Sequence, residues 1–108
     1  MSFEVFLTTD AVRDLEDLHQ YIARHDAPEK AQNILTKIEK TFKSSSETPE
    51  RGVYPKELLA LGIREYREVF FKPYRLIYRI TGDRVYILLI VDGRRDMQSL
   101  LQRRLLEK

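Results

Sequence analysis

Seven side chains in the second half of this chain could handle phosphate or an acidic partner: Tyr66, Arg67, Arg75, Tyr78, Arg79, Arg94 and Arg95. Arginine stays protonated at ordinary pH, so it cannot act as a general base, but its planar fork can hold a carboxylate or stabilise phosphate charge. Tyrosine could transfer a proton only if its pKa were strongly perturbed. The set therefore admits three readings: a phosphate-facing catalytic surface, a docking face for an acidic partner, or charged side chains on a solvated sheet face. The stretch VDGRRD, residues 91 to 96, poses the question most sharply, because two guanidinium groups follow directly on an apolar run.

Other chemistries are scarce. There is no cysteine, so disulfides, thiol nucleophiles and zinc-finger spacings are excluded. His19 and His25 are six residues apart, which does not place them on one helix face. Asp14, Glu16 and Asp17 read as a solvated helix face, and no P-loop or dinucleotide-binding glycine pattern occurs. No metal site, no cofactor and no catalytic residue is expected. At 108 residues the chain fits one domain, residues 1 to 108, long enough to bury a core. The start MSFEVFLTTD carries no signal-like pattern and no segment is apolar enough to span a membrane, so a cytoplasmic protein is expected.

Charge divides the chain. Residues 1 to 62 hold 8 Lys and Arg against 11 Asp and Glu, whereas residues 63 to 108 hold 11 against 6, and nine of those eleven cations are arginine. An acidic partner, protein or nucleic acid, would meet the second half.

The elements that must position these side chains follow from periodicity. Phe3, Val5 and Leu7 alternate with Glu4 and Phe6, a short strand. Thr9 or Asp10 is expected to cap a helix that buries Ala11, Leu15, Leu18 and Ile22. Asp26-Ala27-Pro28-Glu29 is a second helix start, and Ala31, Ile34, Leu35, Ile38 and Phe42 form its apolar stripe. The short connection makes the two helices an antiparallel hairpin. Serines 44 to 46, Pro49 and Gly52 are expected to end it, with a loop through Tyr54-Pro55-Lys56 that Leu58, Leu59 and Leu61 tuck onto the core. Strands are expected over 63 to 71 and 74 to 81, with Tyr74, Leu76, Tyr78 and Ile80 on one side and Arg75 and Arg79 on an exposed basic side. Gly82-Asp83 suits a hairpin turn, and the unbroken apolar run 85 to 91 suits a central strand covered on both faces. A last helix is expected over 96 to 107. The fold class is α+β, in the order β-α-α-β-β-β-α: a helical hairpin on a mostly antiparallel four-stranded sheet, closed by a short C-terminal helix.

The segments VFLTTDAVRDLEDLHQYIA, GVYPKEL before IREYREVFF, YRLIYRI, and VYILLIVDGRRDMQSLL together resemble the RelE/ParE superfamily of type II toxin-antitoxin toxins over nearly the whole chain. The resemblance implies one of two activities. ParE-like members poison DNA gyrase; RelE-like members cleave mRNA on the ribosome, with basic residues on the sheet face and a tyrosine or histidine moving protons. It also implies a cognate antitoxin, ParD-like and DNA-binding for a ParE-like toxin, within a heteromeric complex. Here Asp92 stands where many relatives carry histidine, and Leu101 where ribonuclease members carry tyrosine. Asp92 could pair with Arg94 or Arg95 and would repel phosphate. With the long hairpin, these departures favour the gyrase-directed, non-enzymatic side, the ribosome-dependent endoribonuclease being the alternative. The basic set is then a partner-binding face, and Ile34, Leu35, Ile38 and Phe42 are expected to offer an antitoxin apolar surface.

Overall fold

The computed structural model describes residues 3–25, 28–47 and 51–106, without the side chains of Phe42 and residues 44–47. Its elements are β1 (Glu4–Leu7), α1 (Thr9–His25), α2 (Pro28–Glu47), α3 (Lys56–Leu59), β2 (Arg67–Phe71), β3 (Tyr74–Thr81), β4 (Arg84–Asp92) and α4 (Met97–Leu101), continued by a π-helical turn over Gln102–Leu106. The strands form one sheet in the order β1-β4-β3-β2; β1 runs parallel to β4 and the other pairs are antiparallel. The α+β class, the element order and the hairpin on the sheet are as the sequence implies.

Two cores hold the layers together. Between the hairpin and the first sheet face, Ala11, Ile22 and Ile38 pack on Leu76, Tyr78, Val85 and Ile87. On the second face, Leu58 of α3 and Met97, Leu100 and Leu101 of α4 cover Ile77, Leu89 and Val91. The lost alternation in β4 has this cause: the strand lies inside the sheet and is buried from both sides. Tyr78 stands opposite Ile87 and Ile77 opposite Leu89, so Leu88 is an extra, bulged residue.

Several boundaries differ from expectation. The α1 cap is Thr8, whose Oγ1 accepts the Ala11 N–H at 3.2 Å, rather than Thr9 or Asp10. Helix α2 continues through the three serines to Glu47. A serine costs a helix only a fraction of a kcal/mol, so three do not end it. The expected cap at Asp26 lies outside the described residues. Strand β2 begins at Arg67 rather than at residue 63, and the expected loop contains α3, with Leu58 fully buried beneath it. Gly82 takes φ +61° in the β3–β4 hairpin turn, the backbone that glycine allows most readily. Asp96 caps α4, accepting the Ser99 N–H at 3.2 Å and its hydroxyl at 2.8 Å. Among the described residues no helix is long and apolar enough to cross a membrane.

Candidate functional site

The edge strand β2, the turn at Lys72-Pro73 and the end of β4 enclose a cleft of ≈ 520 Å³, lined by Val53, Tyr54, Phe70, Lys72, Arg75 and Arg94 among others. Arg75 occupies its inner wall and is only 6% exposed. Its Nη1 and Nη2 donate to the two oxygens of Glu57 at 2.8 and 2.7 Å, a bidentate pair, and its Nε donates to Glu68 at 2.8 Å. Nη2 also lies 2.6 Å from Glu68. The expectation that Arg75 projects from an exposed basic face is therefore corrected. The second sheet face is half covered by α3 and α4, and α3 delivers Glu57 directly onto the guanidinium.

The two carboxylates respond in opposite directions. The hydrogen bonds from Arg75 hold Glu57 below the usual carboxylate range. Burial pushes Glu68 up, because it is the more enclosed and shares Arg75 with a better-placed competitor. Arg75 itself is held even more firmly protonated, first by its bonds to Glu57. One cation against two carboxylates leaves the cluster with no free positive charge for a phosphate.

Glycines bring the backbone close enough for this arrangement. At Gly93 a Cβ would fall 2.8 Å from Arg75 Cδ, so the glycine of VDGRRD makes room for the arginine stem. The Gly93 N–H also donates to Pro73 O at 2.8 Å, joining the end of β4 to the β2–β3 turn. At Gly52 a Cβ would meet the Tyr78 hydroxyl and Glu68 O. Its N–H donates to Tyr78 Oη at 3.1 Å, and its carbonyl accepts from Arg67 at 3.0 Å. The Arg67 guanidinium also lies over the Tyr54 ring, 4.7 Å from its centroid. Val53 pairs with the outer edge of β2 through two main-chain bonds with Glu68, at 3.0 and 2.7 Å.

The seven residues thus separate. Tyr66 and Tyr78 are buried, in the second and first cores respectively, and Arg67 is half-buried as a clamp on the 52–54 segment. Neither tyrosine is at the surface where the basic-face reading puts it. Each is a large ring at an inward-facing position, Tyr78 on β3 and Tyr66 just before β2, that the cores need. Arg79, Arg94 and Arg95 are exposed. Arg94 is gripped by Asp92, with Nε 3.0 Å from Oδ1 and Nη2 2.6 Å from Oδ2. These bonds draw the Asp92 carboxyl below its ordinary range. Leu101 is fully buried in the second core, so the position that the resemblance assigns to a tyrosine is here a packing position.

The hairpin stripe is corrected too. Ile38 has no exposed surface and Ile34 packs against the same core, since the stripe that closes the hairpin on the sheet cannot also face a partner. Leu35 does line an outer groove of ≈ 310 Å³, with Leu15 and His19. The side chain of Phe42 lies outside the described residues.

Sequence reasoning missed Glu57 and Glu68 as partners of Arg75. The readable signal was register. A hairpin turning at Lys72-Pro73 sets Phe70 opposite Arg75, which places Glu68 diagonally beside it on the same face. It also missed Asp14 and Arg104. Strand β1 pairs with β4 only as far as Ile87. Beyond that point Asp14 accepts the Ile90 N–H at 3.1 Å, and Arg104 donates to Leu88 O at 3.1 Å and to both Asp14 oxygens at 3.0 Å. Among the described residues no group of three or more His, Asp or Glu is arranged to hold a metal ion.

Comparison with known proteins bears out the resemblance read from the sequence. Residues 5–97 match the family model described as ParE toxin of the type II toxin-antitoxin system parDE. The chain belongs to that family. It is 29% identical to Toxin ParE3 of Caulobacter vibrioides over 97 residues, covering 90% of this chain and 93% of that protein. A solved chain of the chromosomal ParDE system from P. aeruginosa superposes with a TM-score of 0.71 at 21% identity, covering 84% of this chain and 96% of that one. A chain of the RelBE2 toxin-antitoxin complex from Mycobacterium tuberculosis gives 0.59 at 26% identity, covering 85% and 99%.

Proposed function

We propose that this protein is a cytoplasmic toxin that binds and inhibits DNA gyrase, blocks replication, and is held inactive by a cognate ParD-like antitoxin in a heteromeric complex. Family membership supports the ParE side. The observation that carries the choice is the state of the arginines that RNA cleavage would use. Arg75 is buried between two carboxylates and Arg94 is gripped by Asp92, while the tyrosine position holds a buried leucine. A phosphate entering the cleft would have to displace Glu57 or Glu68 to reach Arg75. Binding without chemistry fits this arrangement better than phosphodiester cleavage.

The exposed residues of the basic set, Arg79, Arg94 and Arg95, remain candidates for contact with target or antitoxin. Leu35 and its outer groove replace Ile34 and Ile38 as the apolar antitoxin contact. Purified toxin should inhibit supercoiling by gyrase and stabilise cleaved complexes at levels that leave mRNA intact; no effect at large molar excess would sink the reading. The second reading, a ribosome-dependent endoribonuclease, is favoured by the RelBE2 likeness. It requires new, codon-positioned cuts in primer-extension patterns after induction.

A further inference from the structure

The cleft above Arg75 joins an apolar interior to a cationic rim. Phe70 and Val53, which line it, are 55% and 54% exposed, and Tyr54 and Pro73 complete its apolar walls. Lys56, at the start of α3, and Lys72, in the β2–β3 turn, stand on the rim; both are exposed, and neither has an ion pair among the described residues. Main-chain bonds tie the walls together, Val53 to Glu68 and Gly93 to Pro73. The cleft is therefore formed before anything enters it, and its ≈ 520 Å³ falls within the roughly 300–1,000 Å³ of ordinary ligand sites. Charge around it nearly cancels. Lys56, Lys72, Arg75 and Arg94 stand against Glu57, Glu68 and Asp92, which leaves one positive charge. That charge belongs to the rim lysines, because Arg75 and Arg94 are engaged by carboxylates already.

We propose that this cleft binds a free small monoanion with a flat apolar body, an aromatic carboxylate being the simplest case. Its ring would lie against Phe70 and Tyr54 and its carboxylate would meet Lys56 and Lys72. The site is independent of whether gyrase or the ribosome is the target. Its other occupants fit less well. A polyanionic strand needs many cations and would meet a balance of one. A second copy of the chain, docked face to face, would bring the same two lysines against these. A peptide adding a strand to β2 would find both outward main-chain groups of Glu68 bonded to Val53, which leaves it Phe70 alone on that edge. The outer groove of the hairpin offers a contrast within the same molecule: Leu15 and Leu35 make it apolar too, but Glu16 and Glu39 line it, so it would repel the anion.

The test is titration of the full chain, labelled with nitrogen-15, with 2-naphthoate at neutral pH, followed by amide chemical shifts. The comparators are 2-naphthamide, which has the same rings without the charge, and a capped Glu-Leu-Phe-Glu peptide. Naphthoate should bind with a dissociation constant on the order of 1 mM, the level expected of so small a ligand, and should shift Phe70, Val53 and Gly93 most. The amide should bind at least about fivefold more weakly. Lys56→Ala with Lys72→Ala should bring naphthoate down to the affinity of the amide and leave the amide unchanged. Phe70→Ala should weaken both by about fivefold, and Leu35→Ala, in the hairpin groove, should weaken neither. Four outcomes would overturn the proposal: equal affinity for naphthoate and amide, largest shifts at Leu15 and Leu35, tighter binding of the peptide at the same amides, or a free chain whose dimer Phe70→Ala dissolves. The amide spectrum of each variant separates lost binding from lost fold, and the lysine pair, being exposed, keeps the test decisive if Phe70→Ala does not fold.

Discussion

Arg75 and Arg79 stand four residues apart on β3 and point to the same side of the sheet, yet they occupy opposite environments. Arg75 is enclosed, its N–H groups divided between Glu57 and Glu68. Arg79 faces solvent beside Tyr86, with no carboxylate holding it among the described residues. Strand periodicity gives the two the same face. What separates them is the element above: α3 carries a glutamate onto one, and nothing among the described residues crosses the other. The likeness of an arginine to its neighbour in sequence thus says little about its availability to a partner. That is decided by which carboxylates the fold has already brought to it.

The largest effect should come from removing Arg75. Arg75→Ala leaves Glu57 and Glu68 facing each other in a buried site without a cation, which should destabilise the fold by about 3 kcal/mol or more. Arg79→Ala should change stability by less than about 0.5 kcal/mol, as surface substitutions do. Urea unfolding of both variants measures the contrast directly. Equal losses would mean that Arg79 has a structural role that its exposure does not reveal.

A third arginine extends the comparison. Arg104 is also occupied, but its carboxylate, Asp14, accepts a main-chain N–H of β4 as well. Asp14→Ala should leave both Ile90 N–H and Arg104 short of a partner and cost about 2 kcal/mol, less than the loss at Arg75 because Arg104 keeps Leu88 O and some solvent. Hydrogen exchange at Ile90 should accelerate in that variant. An unchanged rate would show that the carboxylate is not what protects the β4 edge beyond Ile87.

Much of this fold was legible because hydrophobic periodicity is a local signal. The span of β3, the glycine turn at 82 and the two-sided burial of β4 all follow from residues within ten positions of one another. In the site only Glu68 could be placed, from hairpin register; the other decisive contacts join distant segments: Glu57 lies 18 residues before Arg75, and Asp14 lies 90 before Arg104. Charged residues on a strand look solvated until the covering element is known, and α3, four residues long, is too short to announce itself by period. Asp92 with Arg94 was the exception. A separation of two residues across a glycine is local enough to suggest a pair from sequence, and the structure contains it.

The finest effect concerns the two glutamates that share Arg75. Glu57 is held below its ordinary value, so it binds fewer protons in the folded chain than in the unfolded one as the solution acidifies. Its contribution is complete above the unfolded value near 4.5 and is lost as pH falls through the lower, folded value. Glu68 is raised, so the sign reverses: its contribution is complete below that unfolded value and is lost as pH rises through the folded one. Glu57→Gln keeps one acceptor but loses the charge-assisted pair. It should cost about 1 kcal/mol at neutral pH and flatten the acid side of the stability profile. Glu68→Gln gives up attraction to Arg75 but also the penalty of burying a second carboxylate. It should therefore fall within about 0.5 kcal/mol of the parent at neutral pH and remove the decline above pH 4.5. Urea midpoints measured from acid to neutral pH distinguish the two. If Glu68→Gln lost as much as Glu57→Gln, the carboxylates would share Arg75 evenly, and burial could not be what sets them apart.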